Sequence, residues 1–78
     1  MNLKVYSPEK ILFEEPVSSV QFPGIDGTFQ ILKDHAPMIS ALKEGIIVVQ
    51  EEKGNKEIPI KGGFVEVLYN EISALVEE

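Results

Sequence analysis

Val17-Ser18-Ser19-Val20-Gln21-Phe22-Pro23-Gly24-Ile25-Asp26-Gly27-Thr28-Phe29-Gln30-Ile31-Leu32 is the stretch that decides how the chain reads. Val17 to Phe22 is stopped by Pro23-Gly24, Gly24-Ile25-Asp26-Gly27 is a turn, and Thr28 to Leu32 alternates on its far side. Alternation with period two sends successive side chains to opposite faces of an extended backbone, which is the pattern of strands. The rest of the chain repeats it. Leu3-Lys4-Val5-Tyr6 alternates until Ser7-Pro8, Ile11-Leu12-Phe13 is stopped by Pro16, and Met38 to Leu42 follows the Asp34-His35-Ala36-Pro37 loop and ends at Gly45. Ile46 to Glu51 leads into Glu52-Lys53-Gly54-Asn55-Lys56, whose Gly-Asn can supply the positive φ of a hairpin. Glu57 to Ile60, Phe64 to Tyr69 after Gly62-Gly63, and Ile72 to Val76 after Asn70-Glu71 complete the series.

No stretch keeps an i, i+3, i+4, i+7 pattern over helical length, and nothing between the strands is long enough for a crossover helix. The expectation is a single all-β domain over residues 1–78, an antiparallel sandwich or barrel. Ser7-Pro8-Glu9-Lys10-Ile11 has an N-cap residue with proline behind it, but Pro16 would end a helix within two turns, so at most one helical turn fits there. Two strands are apolar on both faces: Ile46-Ile47-Val48-Val49, and Phe64 to Tyr69 with Glu66 as its interruption. One apolar face serves a core. The other is either covered by loops and the sheet edge or docked on another protein.

The 78 residues carry seven lysines, no arginine and thirteen acids, for a net charge of −6. Without arginine, the residue best suited to bidentate contacts with phosphate and guanine, nucleic-acid binding is not expected. The sign is also wrong for an anionic lipid surface or a polyphosphate and suits a basic protein partner. The paired acids Glu14-Glu15, Glu51-Glu52 and Glu77-Glu78 read as solvated surface. The longest apolar run, Ile46 to Val49, is far short of the roughly twenty residues of a membrane-spanning helix. The Met1-Asn2-Leu3-Lys4 start lacks the pattern of a signal peptide, and the absence of cysteine points to a reducing compartment.

Catalytic parts are scarce. With no cysteine and one histidine, thiol nucleophiles and cysteine or two-histidine zinc sites are excluded. His35 could join Asp34 or Asp26 and one of five serines, but no serine sits in a Gly-x-Ser-x-Gly turn. Adjacent acids in a strand point to opposite faces and make poor acid/base pairs. Gly24, Gly27 and Gly62-Gly63 lack the spacing, helix and Lys-Ser/Thr pair of a phosphate cradle and read as turn and bulge glycines. On spacing alone His35 is a loop histidine with a local hydrogen bond. No cofactor is called for.

Taken together, Gly24-Ile25-Asp26-Gly27-Thr28-Phe29-Gln30-Ile31-Leu32, His35-Ala36-Pro37, Leu42, Gly45, Gly62-Gly63-Phe64-Val65-Glu66-Val67, Asn70 and Leu75 resemble the N-terminal β-sandwich of the F-type ATP synthase epsilon subunit. The similarity runs from about Leu3 to Val76 in order and spacing. It implies a flattened antiparallel β-sandwich of two sheets with about five strands each. It also implies a non-catalytic subunit of the central stalk, part of the rotor on the cytoplasmic side of the bacterial inner membrane. Such a subunit binds the gamma subunit and the polar loops of the c-ring and couples ion-driven rotation to ATP synthesis, touching no nucleotide or lipid. By the same resemblance Asp26, Gly27 and Thr28 are the c-ring contacts, and Ser7, His35 and Ser40 face gamma. Many relatives carry an acid where Thr28 stands, which shifts the charge contact to Asp26. Most relatives also continue into a pair of C-terminal helices, whereas this sequence stops at Glu77-Glu78. The expectation is a natural short subunit, with an excised domain as the alternative, lacking that inhibitory switch and its nucleotide site. A free-standing β-sandwich that captures a protein or small ligand through its two-faced strands is the alternative.

Overall fold

Each apolar burst becomes a strand in the computed structural model, which describes residues 1–78. The strands are β1 (Asn2–Tyr6), β2 (Ile11–Pro16), β3 (Ser19–Gly24), β4 (Gly27–Ile31), β5 (Met38–Leu42), β6 (Gly45–Glu51), β7 (Gly54–Ile60), β8 (Gly62–Leu68) and β9 (Glu71–Glu77). Alternation fixes which side chains go inward. Leu3 and Val5, Val20 and Phe22, Ile47 and Val49, Ile58 and Ile60, Val65 and Val67, and Ile72, Ala74 and Val76 are all buried in one continuous core. Phe22 lies among them with its ring centroid 5.7 Å from that of Phe29 on the paired strand β4. Burial of this kind, at about 25 cal/mol per Å² of apolar surface, is what holds a domain with no disulfide together.

The layers are β2-β1-β9-β8-β5 and β4-β3-β6-β7. They hold five and four strands, close to the expected five each, but they are not separate sheets: β5 pairs with β3 through Gly24 and Leu42, so one sheet curls over on itself. The physical reason is Gly24. A Cβ there would lie 2.6 Å from the Gly27 carbonyl oxygen and 2.8 Å from the Phe29 ring, so only a bare backbone can turn this corner. Two further bonds tie the seam, from the Ile25 amide to the Ala41 carbonyl (3.1 Å) and from the Lys43 amide to the Pro23 carbonyl (2.9 Å).

The expectation of purely antiparallel pairing fails at one place. β1 runs parallel to β9, in the register Leu3–Ile72 and Val5–Ala74. These strands are remote in sequence, so no hairpin dictates their direction, and the register is the one that turns both apolar sets inward. The Ser7 to Lys10 segment makes no helix. The Ser7 hydroxyl accepts from the amides of Glu9 (3.3 Å) and Lys10 (3.2 Å), as an N-cap would, while the Ser7 amide donates to the Lys10 carbonyl (2.9 Å) and returns the chain into β2. In the β6–β7 hairpin the positive φ belongs to Gly54 (128°), and Asn55 is already in the ladder opposite Gln50.

Gly63 has the tightest backbone constraint. It sits inside β8 at φ 151°, paired with Leu42 on one side and Val76 on the other, and a Cβ would run into the Leu75 carbonyl oxygen. Gly63→Ala is therefore expected to destabilise the domain by about 2–3 kcal/mol. Gly54→Ala, strained in φ but with open space around it, should cost clearly less. Urea unfolding midpoints of the two variants check this order.

Candidate binding surfaces

Side chains that alternate away from the core on the five-stranded layer meet in cross-strand rows. Ile11 on β2, Tyr6 on β1, Leu75 on β9, Phe64 on β8 and Ala41 on β5 form one row through successive pairings. Glu14, Lys4, Ser73, Glu66 and Ile39 form the next, followed by Pro16, Asn2, Glu71 and Leu68. The large apolar members are open to solvent: Ile39 is 73% exposed, Phe64 61% and Leu75 40%. Two shallow depressions mark this face, one among Tyr6, Ile39, Phe64 and Leu75, the other among Pro37, Met38, Ile39 and Leu68. No loop of the chain covers the second face of β8. On β6, the other two-faced strand, Val48 is half-buried and Ile46 stays exposed opposite Pro59.

The charges in these rows are Lys4, Glu14, Glu66 and Glu71, and no ion pair joins any two of them. Lys4 Nζ lies 4.8 Å from the centre of the Tyr6 ring. Glu71 accepts a hydrogen bond from Asn2 Nδ2 at 3.2 Å, whereas Glu66 has no hydrogen-bonding or ionic partner. The single ion pair of the chain, Lys10 with Glu78 at 3.6 Å, is well exposed and contributes little.

The turn between β3 and β4 is a second, separate projection. Gly24 pairs with Gly27, leaving Ile25 and Asp26 at the tip, and Gly27 takes φ 129°. Asp26, Gly27 and Thr28 are all exposed, and the Asp26 carboxylate makes no bond within the chain. This turn holds the three residues that the resemblance assigned to the ring.

Ser7, His35 and Ser40 stand on three different elements, and no hydrogen bond joins any two of them. Ser7 is buried, its hydroxyl engaged in the turn before β2. Ser40 is half-buried on the core side of β5, opposite Val65, and its hydroxyl donates to the Ala41 carbonyl (3.3 Å). His35 is half-buried in the β4–β5 loop, where its Nδ1 donates to the Ala36 carbonyl oxygen at 2.7 Å. The neighbouring Asp34 turns elsewhere.

Asp34 and Asn70 form a bracket that sequence reading missed. The Asp34 amide donates to Asn70 Oδ1 (2.8 Å) and Asn70 Nδ2 donates to Asp34 Oδ1 (3.1 Å). Both residues hold left-handed backbones, at φ 64° and 65°, which short polar side chains tolerate best. The Asn70 carbonyl also accepts from the Asn2 amide (2.9 Å), so one residue ties the His35 loop, the β8–β9 turn and the start of β1. Asn70→Ala is expected to speed hydrogen exchange at the Asp34 amide and to destabilise by about 1–2 kcal/mol. Asn70→Gly should speed the same exchange without the backbone strain. An unchanged Asp34 amide in both variants would show that the bracket is idle in solution.

Residues 1–78 match the family described as "ATP synthase, Delta/Epsilon chain, beta-sandwich domain". The chain is 40% identical over 77 residues to the ATP synthase epsilon chain of Leptospira borgpetersenii serovar Hardjo-bovis (strain JB197), covering 99% of itself and 61% of that protein. It is 42% identical over 77 residues to the epsilon chain of Chlorobium limicola, covering 97% of itself and 88% of that protein. Its fold superposes with a TM-score of 0.90, at 24% identity, on a chain of the Euglena gracilis mitochondrial ATP synthase structure titled OSCP/F1/c-ring, covering 97% of this chain and 49% of that one. The chain thus spans about three fifths of the Leptospira relative and most of the Chlorobium one. On a match over residues 1–78 and close to nine tenths of an epsilon chain at 42% identity, it belongs to the ATP synthase delta/epsilon-chain family, whose β-sandwich it forms.

Proposed function

We propose that this single domain works as a rotor component of an F-type ATP synthase, contributing contacts and no catalytic group. The observation that carries the reading is the family match over residues 1–78. It is supported by an exposed apolar sheet face that no loop of the chain covers. On this reading the Tyr6, Ile39, Phe64 and Leu75 face docks on the gamma subunit. Ser7, Ser40 and His35 neighbour that face in sequence without lying on it: Ser7 follows Tyr6, Ser40 lies between Ile39 and Ala41, and His35 sits two residues before Pro37. Ser7 and Ser40 act mainly through the backbone they hold, since both hydroxyls are engaged within the chain. An open, shallow face fits a protein partner better than a small ligand, which needs a concave pocket.

The Asp26-Gly27-Thr28 turn is proposed as the contact with the polar loops of the c-ring, at the cytoplasmic side of a bacterial inner membrane. An exposed, unpaired carboxylate at a loop tip affects the rate of encounter and its salt dependence more than it affects the fold. Asp26→Lys is expected to slow association with purified c-ring about tenfold or more at low salt and to flatten its salt dependence. Its unfolding midpoint should stay unchanged. Equal association of the variant and the natural chain would remove this turn from the interface. Failure of the tagged chain to copurify with gamma at low salt would remove the rotor assignment itself.

A further inference from the structure

Glu66 lies inside the apolar face, not at its rim. Along β8 it stands between Phe64 and Leu68, which point the same way, and across the sheet it faces Ile39 on β5 and Ser73 on β9. Both depressions of the face include it. Ile39 and Phe64 are the most exposed of the large apolar side chains around it, so any surface that covers them also covers Glu66. The chain supplies nothing to neutralise it. Lys4 shares its row but is two strands away, about 9–10 Å at ordinary strand spacing, and lies over the Tyr6 ring.

A carboxylate taken out of water without a partner opposes docking strongly, and one met by a cation does not. We infer that Glu66 receives an arginine side chain of the docking protein, and that this pair sets the register of the interface. The inference rests on the docking role proposed for this face. Arginine fits better than lysine because its planar guanidinium can lie against Phe64 while its N–H fork meets the carboxylate. This chain has no arginine of its own, so the group must come from the partner. The occupant is therefore a protein segment that is apolar around one arginine, and its charge complements a chain of net charge −6.

Binding of purified gamma subunit to the natural chain and to Phe64→Ser, Glu66→Gln and Glu66→Met tests this. Phe64→Ser probes the face alone and is expected to weaken binding at least about tenfold. Glu66→Gln should weaken it about thirtyfold or more, mainly through faster dissociation, because the partner's cation is left buried and unpaired. Glu66→Met should weaken it at least as much, although it enlarges the apolar surface. If Phe64→Ser weakens binding while Glu66→Gln or Glu66→Met leaves it equal or tighter, the arginine pairing is overturned and the docking face stands. If Phe64→Ser binds like the natural chain, the docking face fails and the pairing falls with it. Glu66 is exposed in the free chain, so unfolding midpoints of its variants should match the natural one and exclude misfolding as the cause.

Discussion

β3 belongs to both layers, and the architecture depends on that shared strand. Ser19 to Gln21 pair with β6, Val20 to Gly24 with β4, and the last residue, Gly24, also with Leu42 of β5. Val20 and Phe22 are fully buried between these neighbours. Because the same backbone closes both layers, core packing and sheet curvature cannot vary independently: shifting β3 by one residue would turn Phe22 outward and break the seam together. The β3–β4 turn springs from this shared strand, so Asp26 projects where the two layers meet.

Much of the fold was legible in the sequence because strands write their burial locally. Inward residues such as Leu3 and Val5, or Val65 and Val67, announce themselves by alternation, and Pro23-Gly24 and Gly54 announce the turns. Non-local pairings were not legible. Nothing near Leu3 says that it runs parallel to Ile72, and nothing near Gly24 says that it meets Leu42. The exposed apolar face was half legible for the same reason. The two-faced character of Phe64 to Tyr69 is visible in one strand, but Tyr6, Ile39 and Leu75 join it only once four strands are in register. The Asp34–Asn70 bracket spans 36 positions, and its one sequence signal is a short polar residue in each of two loops.

The surface divides its work between two chemistries. The five-stranded layer offers an apolar area with Glu66 inside it and Glu14 and Glu71 farther along the same face, whereas the β3–β4 corner offers an isolated charge on exposed backbone. Apolar area holds a complex once formed; an isolated charge mainly orients approach. Two partners placed on opposite chemistries can be held together by one small domain without competing for the same residues.

The parallel pairing of β1 with β9 has a further consequence. In the order β2-β1-β9-β8, the first two strands reach the rest of their layer only through the last. The β1–β2 hairpin therefore has no other strand of its layer to pair with until β9 is in place between it and β8. Such a closure is entropically late and slow, since it joins the two extremes of the described chain. Tyr6 and Leu75, which sit side by side on those two strands, come together on one exposed face only when that closure is complete.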